Sequence, residues 1–97
     1  MHTVETLELA LSFATRHGYR VRQEWLDGSP GGACEIRGQK WLFLDPSQNA
    51  IEQLALVLDA LSSDERLQNV PWPRTLRRLA VSRGPIASDG EVTSAGP

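Results

Sequence analysis

The residues able to do chemistry are few and scattered. The chain of 97 residues holds one thiol, Cys34, and two imidazoles, His2 and His17. No HExxH, CxxC or other paired-ligand spacing joins them, so no metal set is expected. A nucleophilic thiol needs an imidazole, a cation or a helix N-terminus beside it. Cys34 instead falls on the expected core face of a strand, beside Ile36 and opposite Phe43, where a thiol acts as a small hydrophobe. The carboxylates form no locally spaced pair in an apolar setting of the kind that tunes an acid and a base. Glu24 and Glu35 read instead as members of a surface mosaic with Arg20, Arg22 and Arg37. The run Asp27-Gly28-Ser29-Pro30-Gly31-Gly32 suggests a phosphate cradle. It lacks the GxxxxGK[ST] spacing, and it precedes a strand where such a loop precedes a helix. No residue is assigned a catalytic, cofactor-binding or metal-binding role.

The elements that would position these residues follow from periodicity and turn chemistry. Val4, Leu7, Leu11 and Ala14 recur at helical spacing, with Thr3 as the expected N-cap and Gly18 as the residue that ends the helix. Tyr19 to Leu26 alternates. Tyr19, Val21, Gln23 and Trp25 point one way; Arg20, Arg22, Glu24 and Leu26 point the other. After the glycine loop, Ala33 to Arg37 and Lys40 to Asp45 read as two strands joined by a type II′ turn at Gly38-Gln39. That register pairs Ile36 with Trp41 and Cys34 with Phe43. It also pairs Glu35 with Leu42 and Ala33 with Leu44. A second helix begins at Asp45-Pro46, with Ser47 as a rival cap. Its apolar stripe is Ile51, Leu54, Leu58 and Leu61, and its outer face is acidic through Glu52 and Asp59. Ser63 is placed to cap a short turn through Arg66. Pro71-Trp72-Pro73 breaks the chain before a last short helix, with Leu76, Leu79 and Ala80 inward and Arg74, Arg77 and Arg78 outward.

The order α-β-β-β-α with a short C-terminal helix predicts an α+β domain over residues 1–81. It consists of a three-stranded antiparallel meander, in order 1-2-3, with the helices on one face. Residues 82–97, rich in Gly, Pro, Ser and Ala, read as a disordered C-terminal tail. The expected core face carries Cys34, Ile36, Trp41 and Phe43. Leu26, Leu42 and Leu44 then fall on the uncovered face, rimmed by Arg22 and Arg37, and these five residues form the expected interface. If uncovered, the strand Lys40-Trp41-Leu42-Phe43-Leu44 would be an adhesive edge that something must protect. Trp72, Leu76 and Leu79, folding back, are the alternative cover for those leucines.

Composition sets the function classes. A formal net charge of -2 and a pI near 5.6 give no dominant electrostatic hold on nucleic acid or on an anionic membrane. Nucleic acid is further disfavoured because the expected open face holds basic residues but no aromatic ring for base stacking. One cysteine excludes an internal disulfide framework. No apolar run approaches the ~20 residues that span a bilayer, and the N-terminus shows no secretory pattern. The cytoplasm is the expected location. The expectation is a non-enzymatic protein-interaction or self-associating domain that uses the open sheet face, with a homodimer or an unidentified protein as partner and no cofactor. The alternatives are an enzyme subunit completed by a partner, with Gly28 to Gly32 and the carboxylates Asp27 and Glu35 as contributors, and a weak RNA-binding domain.

The stretch from Gly18-Tyr19-Arg20-Val21-Arg22 to Leu61 resembles a group of small uncharacterised bacterial proteins. It does so through Gly31-Gly32-Ala33-Cys34-Glu35-Ile36-Arg37-Gly38, the apolar strand after it, and Glu52-Gln53-Leu54. The resemblance covers roughly half the chain and implies no activity. The strand-turn-strand-helix order is also similar to the front of the ImmA/IrrE metallopeptidases, in which the helix after the strands carries HExxH. That position here reads Leu54-Ala55-Leu56-Val57-Leu58-Asp59-Ala60-Leu61. It has neither the metal ligands nor the general base, so the resemblance implies shape and no peptidase activity.

Overall fold

The structure is a computed structural model that describes residues 2–28 and 31–82. The fold is α+β: helix α1 (Thr3–Arg16), strands β1 (Tyr19–Gln23), β2 (Gly32–Ile36) and β3 (Gln39–Leu44), and helix α2 (Ala50–Ser62). A 3-10 turn (Glu65–Leu67) and helix α3 (Arg74–Ser82) complete it. The residues read from sequence as a C-terminal tail lie outside the described residues beyond Ser82, as do Ser29 and Pro30 of the glycine loop.

The sheet is not the expected meander. Its order is β1-β3-β2, with β1 parallel and β2 antiparallel to β3. The physical reason lies in β3 itself. This strand is apolar on both faces, and at an edge it would offer an unpaired, adhesive backbone. In the centre both of its edges are hydrogen-bonded. The segment between β1 and β2 therefore crosses the C-terminal end of β3. Glu24 N–H donates to Leu44 O at 2.9 Å, and Leu26 N–H donates to Asp45 Oδ2 at 3.3 Å. Gly31 makes this crossing possible. A Cβ at that position would lie 2.2 Å from Phe43 O, closer than any side chain permits.

The β2–β3 turn falls one residue earlier than expected. Arg37 and Gly38 are its central residues, with φ of 53° and 81°, so it is type I′ with Ile36 opposite Gln39. This turn matches the twist of the flanking strands, and Gly38 takes one of its two left-handed positions at no steric cost. In the resulting register Cys34 lies opposite Trp41, Ala33 opposite Leu42 and Glu35 opposite Lys40.

In β1 the faces are as expected, with Tyr19 inward and Arg20 and Arg22 outward, but in β2 and β3 the core face is the reverse of the expected one. Leu42 and Leu44 are fully buried, and they join Leu7, Phe13, Tyr19, Val57, Leu58 and Leu61 in one cluster. Cys34, Ile36, Trp41 and Phe43 do share a face, but it is the outer one, and Cys34 and Ile36 are exposed. The helices present aliphatic stripes, and the branched leucines fill the space against them. The bulkier aromatic rings remain partly solvated on the other side.

The helix starts also differ from expectation. His2, not Thr3, precedes the first turn of α1, and its N–H donates to Glu5 Oε1 at 3.2 Å. Helix α2 begins at Ala50, capped by Asn49. Asn49 Oδ1 accepts the Glu52 N–H at 2.8 Å, and Glu52 Oε1 accepts the Asn49 N–H at 2.9 Å. This reciprocal pair satisfies two orphan donors. Asp45 instead anchors the approach to the helix, its Oδ1 accepting the N–H and hydroxyl of Ser47 at 2.9 and 2.8 Å. Those bonds, the backbone one foremost, hold its carboxyl below the usual range. The 3-10 turn is capped by Asp64 rather than Ser63. In α3 the outward arginines and inward Leu76 and Ala80 stand as the periodicity indicates.

Candidate functional site: the open sheet face

Helices α1 and α2 cover the face of the sheet that bears Tyr19, Val21, Leu42 and Leu44. Among the described residues no element covers the other face. Strand alternation and register assemble that open face in rows. Arg20, Trp41 and Cys34 form one row across the three strands, and Arg22, Phe43 and Gly32 form the next. Gln39 and Ile36 lie together beside the hairpin turn.

The geometry is that of an aromatic strip with cationic flanks. The Trp41 and Phe43 rings are nearly parallel, 16° apart in plane and 5.9 Å between centroids. Arg20 Cζ stands 5.7 Å from the Trp41 centroid, within cation–π range. Arg22 pairs with Glu24 at 2.6 Å. Ile36 is 49% exposed and borders the strip on the β2 side. Trp25, beyond the end of β1, is 76% exposed. Cys34 is exposed in this setting and is not the buried hydrophobe expected from its pattern.

The five residues expected to form an interface are dispersed. Leu42 and Leu44 are core. Leu26 is partly buried in the crossing segment, its N–H bonded to Asp45. Arg37 sits in the tight turn, where its φ is positive. Arg22 alone of the five lies on the open face of the sheet. The cover expected from the C-terminal helix goes elsewhere. Trp72 packs on Phe13 with ring centroids 5.1 Å apart, and its Nε1–H donates to Leu67 O at 2.8 Å. Leu76 is in the core beneath the helices.

A second polar cluster sits on the helical side. The Tyr19 hydroxyl donates to Asp64 Oδ2 at 2.6 Å, and Arg66 Nη2 donates to the same oxygen at 2.9 Å and to His17 O at 3.2 Å. Burial opposes charge on Asp64, but the hydrogen bonds from Arg66 and Tyr19 outweigh it and hold the carboxyl at about 2. Burial first, and then the bond to Asp64, push the Tyr19 phenol up to about 12. Both shifts lock the proton where it already is near neutral pH. The cluster therefore ties α1, β1 and the 3-10 turn together, and it is not poised for proton transfer.

Of the two carboxylates expected to serve a partner-completed enzyme, Glu35 pairs with Lys40 Nζ at 3.6 Å and Asp27 lies exposed in the turn after β1. Among the described residues no group of three or more His, Cys, Asp or Glu is placed to hold a metal ion. No described helix is long and apolar enough to cross a membrane. Comparison with known proteins returns no matching family, no matching curated protein and no matching solved structure.

Proposed function

We propose that this chain is a non-enzymatic protein-interaction domain whose working surface is the open face of its sheet. The observation that carries the reading is the near-parallel Trp41–Phe43 pair, with Arg20 above Trp41, on a face that no described helix covers. Tryptophan, phenylalanine and arginine are enriched at protein interfaces, and tryptophan and arginine dominate binding energy when a partner desolvates them. Ile36 and Cys34 supply a smaller apolar margin, and the Arg22–Glu24 pair a polar rim.

Cys34 allows a direct test, because it is the only cysteine and stands in the same row as Trp41. A photo-crosslinker attached to Cys34 and activated in lysate of the source cells should form adducts with a protein. The same label on a folded Trp41→Ser, Phe43→Ser variant should not. Equal labelling of the same proteins by both forms would overturn the reading.

A second reading, single-stranded RNA binding, gains one specific support. The rings and the arginines occupy the same face, where bases could stack and phosphates could pair. The net charge of -2 and the carboxylate of Glu24 on Arg22 weigh against it. Titration with a fluorescent oligouridylate separates the two. Affinity that falls steeply with salt and disappears in the Trp41→Ser, Phe43→Ser variant favours RNA, and absence of binding at low salt excludes it.

A further inference from the structure

β2 ends the sheet on one side and, among the described residues, has no neighbour beyond β3. It has no proline and a single charge, Glu35, and residues 33–36 are all exposed. β1, at the other edge, carries Arg20 and Arg22, the kind of side chain that discourages edge pairing. The open face of β2 is uneven. Ile36 is a branched apolar side chain that is 49% exposed. Gly32, on the same face, has no side chain, and a Cβ built there would meet nothing within 4 Å. The hollow at that point is lined by Leu26, Gly31, Gly32, Ala33, Cys34 and Phe43, with no charged group among them. One strand thus bears both an exposed apolar knob and an apolar hole.

The hairpin shows which backbone groups are left over. In a two-residue turn the flanking pair, Ile36 and Gln39, is the hydrogen-bonded pair, and the pattern then alternates. Gly32, Cys34 and Ile36 therefore bond inward to β3, and the N–H and C=O of Ala33 and Glu35 point outward. Antiparallel pairing of this edge with its own copy can centre on Ala33, Cys34 or Glu35. Centring on Ala33 leaves Glu35 without a partner in the strand. Centring on Glu35 sets two carboxylates directly opposite each other, which is unfavourable. Centring on Cys34 pairs Ala33 with Glu35 of the second copy and Glu35 with its Ala33. Every outward group of the strand is then bonded, and no like charges stand directly opposite. Glu35 keeps Lys40 Nζ as its counter-ion at 3.6 Å. The same register sets Ile36 of each copy opposite Gly32 of the other, so each knob enters the other's hole.

We infer that β2 pairs antiparallel with β2 of a second copy of this chain, centred on Cys34, so that the two sheets become one across a twofold axis. The interface is self-complementary, because the knob, the hole and the outward backbone groups all lie on the same strand. A contact made by one strand of 5 residues is small beside the ~1,600 Å² of a standard interface, so the dimer is weak and forms at high concentration. Pairing occupies the edge and leaves the Trp41–Phe43 face open, so the inference does not rest on the proposed function. At the dilution of a lysate the dimer dissociates, and crosslinking from Cys34 then reads the face alone.

The test follows the full chain by sedimentation velocity from micromolar to millimolar concentration, where a monomer–dimer equilibrium is expected. As the dimer forms, hydrogen exchange should slow at the Ala33 and Glu35 amides and stay unchanged at Cys34, whose amide already bonds inward. Cys34 and its mate form a non-hydrogen-bonded pair, with Cα atoms about 4.5 Å apart, inside the ~4.4–6.8 Å range of disulfides. Diamide should therefore join wild-type chains at least fivefold faster than chains of the Ile36→Ser variant. Ile36 is exposed, so that change removes the knob and leaves the core alone, and it should weaken the dimer at least fivefold. Ala33→Pro removes one outward donor at an edge position where proline is tolerated, and it should abolish the dimer. If Ala33→Pro fails to fold, Ile36→Ser decides. A monomer at millimolar concentration, a dimer with unchanged exchange at Ala33 and Glu35, or a dimer that Ile36→Ser leaves at full strength would each overturn the inference.

Discussion

Strand β3 carries two apolar faces, and the fold treats them in opposite ways. Leu42 and Leu44 are sealed beneath α1 and α2, while Trp41 and Phe43 lie half-buried on a face with arginines beside them. By hydrophobicity alone the aromatic face has the larger claim to the core. It loses because burial depends on fit. The helices offer leucine, valine and alanine ridges, and leucine side chains interdigitate with those at interior density. The hydrophobic surface left outside is therefore a poor guide to stability and a good guide to where something else can bind.

The comparison breaks most easily by truncation. Leu42→Ala should cost about 3–4 kcal/mol, since it empties a fully buried site, and Phe43→Ala about 1 kcal/mol. Urea unfolding of the two variants measures the difference. Equal costs would mean that the faces are not as distinct as the packing indicates. Gly31→Ala comes next. Its methyl would meet Phe43 O at 2.2 Å, so the crossing segment must move, at about 2 kcal/mol.

The polar end of the buried face should appear as a pH dependence. The Asp64 carboxyl is held at about 2, below its unfolded value, so its contribution is full above pH ~4 and is lost as pH falls from ~4 toward 2. After allowance for solvent screening this amounts to about 1.5 kcal/mol. Tyr19 acts at the other limb. Its pKa is raised to about 12, so its contribution is full below pH ~10 and is lost between pH ~10 and 12. Tyr19→Phe should abolish the alkaline limb and shrink the acid one, both read from melting temperature against pH. The smallest effect is at the hairpin. Arg37 holds a φ of 53°, which asparagine tolerates better, so Arg37→Asn should raise stability by about 0.5 kcal/mol.

Most elements were legible in the sequence because each has a strong local signal: helical stripes in α1, α2 and α3, alternation in β1, and turn residues at Gly38. The partition of β3 and β2 into two side-chain sets was also legible, since period two leaves no choice once the strand is recognised. The choice of face was not. Both sets are apolar, and the deciding partner is the stripe on α2. Arg20 and Arg22 fix the outer face of β1, but which set of β3 aligns with them depends on the register Arg20–Trp41 and Arg22–Phe43, which only the structure supplies. Sheet order was hidden for a different reason. The segment between β1 and β2 can serve as a hairpin connection or as a crossing over the end of β3, and the steric need at Gly31 appears only once Phe43 O is in place. The start of α2 was missed because Asp45 and Asn49 both have cap chemistry, and only Asn49 gains the reciprocal bond from Glu52.

The central place of β3 also has a consequence in time. During synthesis α1 and β1 leave the ribosome before β2 and β3, yet β1 has no strand partner until β3 has followed, because β2 does not pair with it. The hairpin of β2 and β3 can close locally and fast, whereas the parallel pairing of β1 must wait and then close a long loop. The α1–β1 segment therefore spends its early life without the Leu42, Val57 and Leu58 side chains that complete the core around Tyr19 and Val21. A nascent chain stalled before Leu44 should be the form most easily cut by protease and most readily held by chaperones.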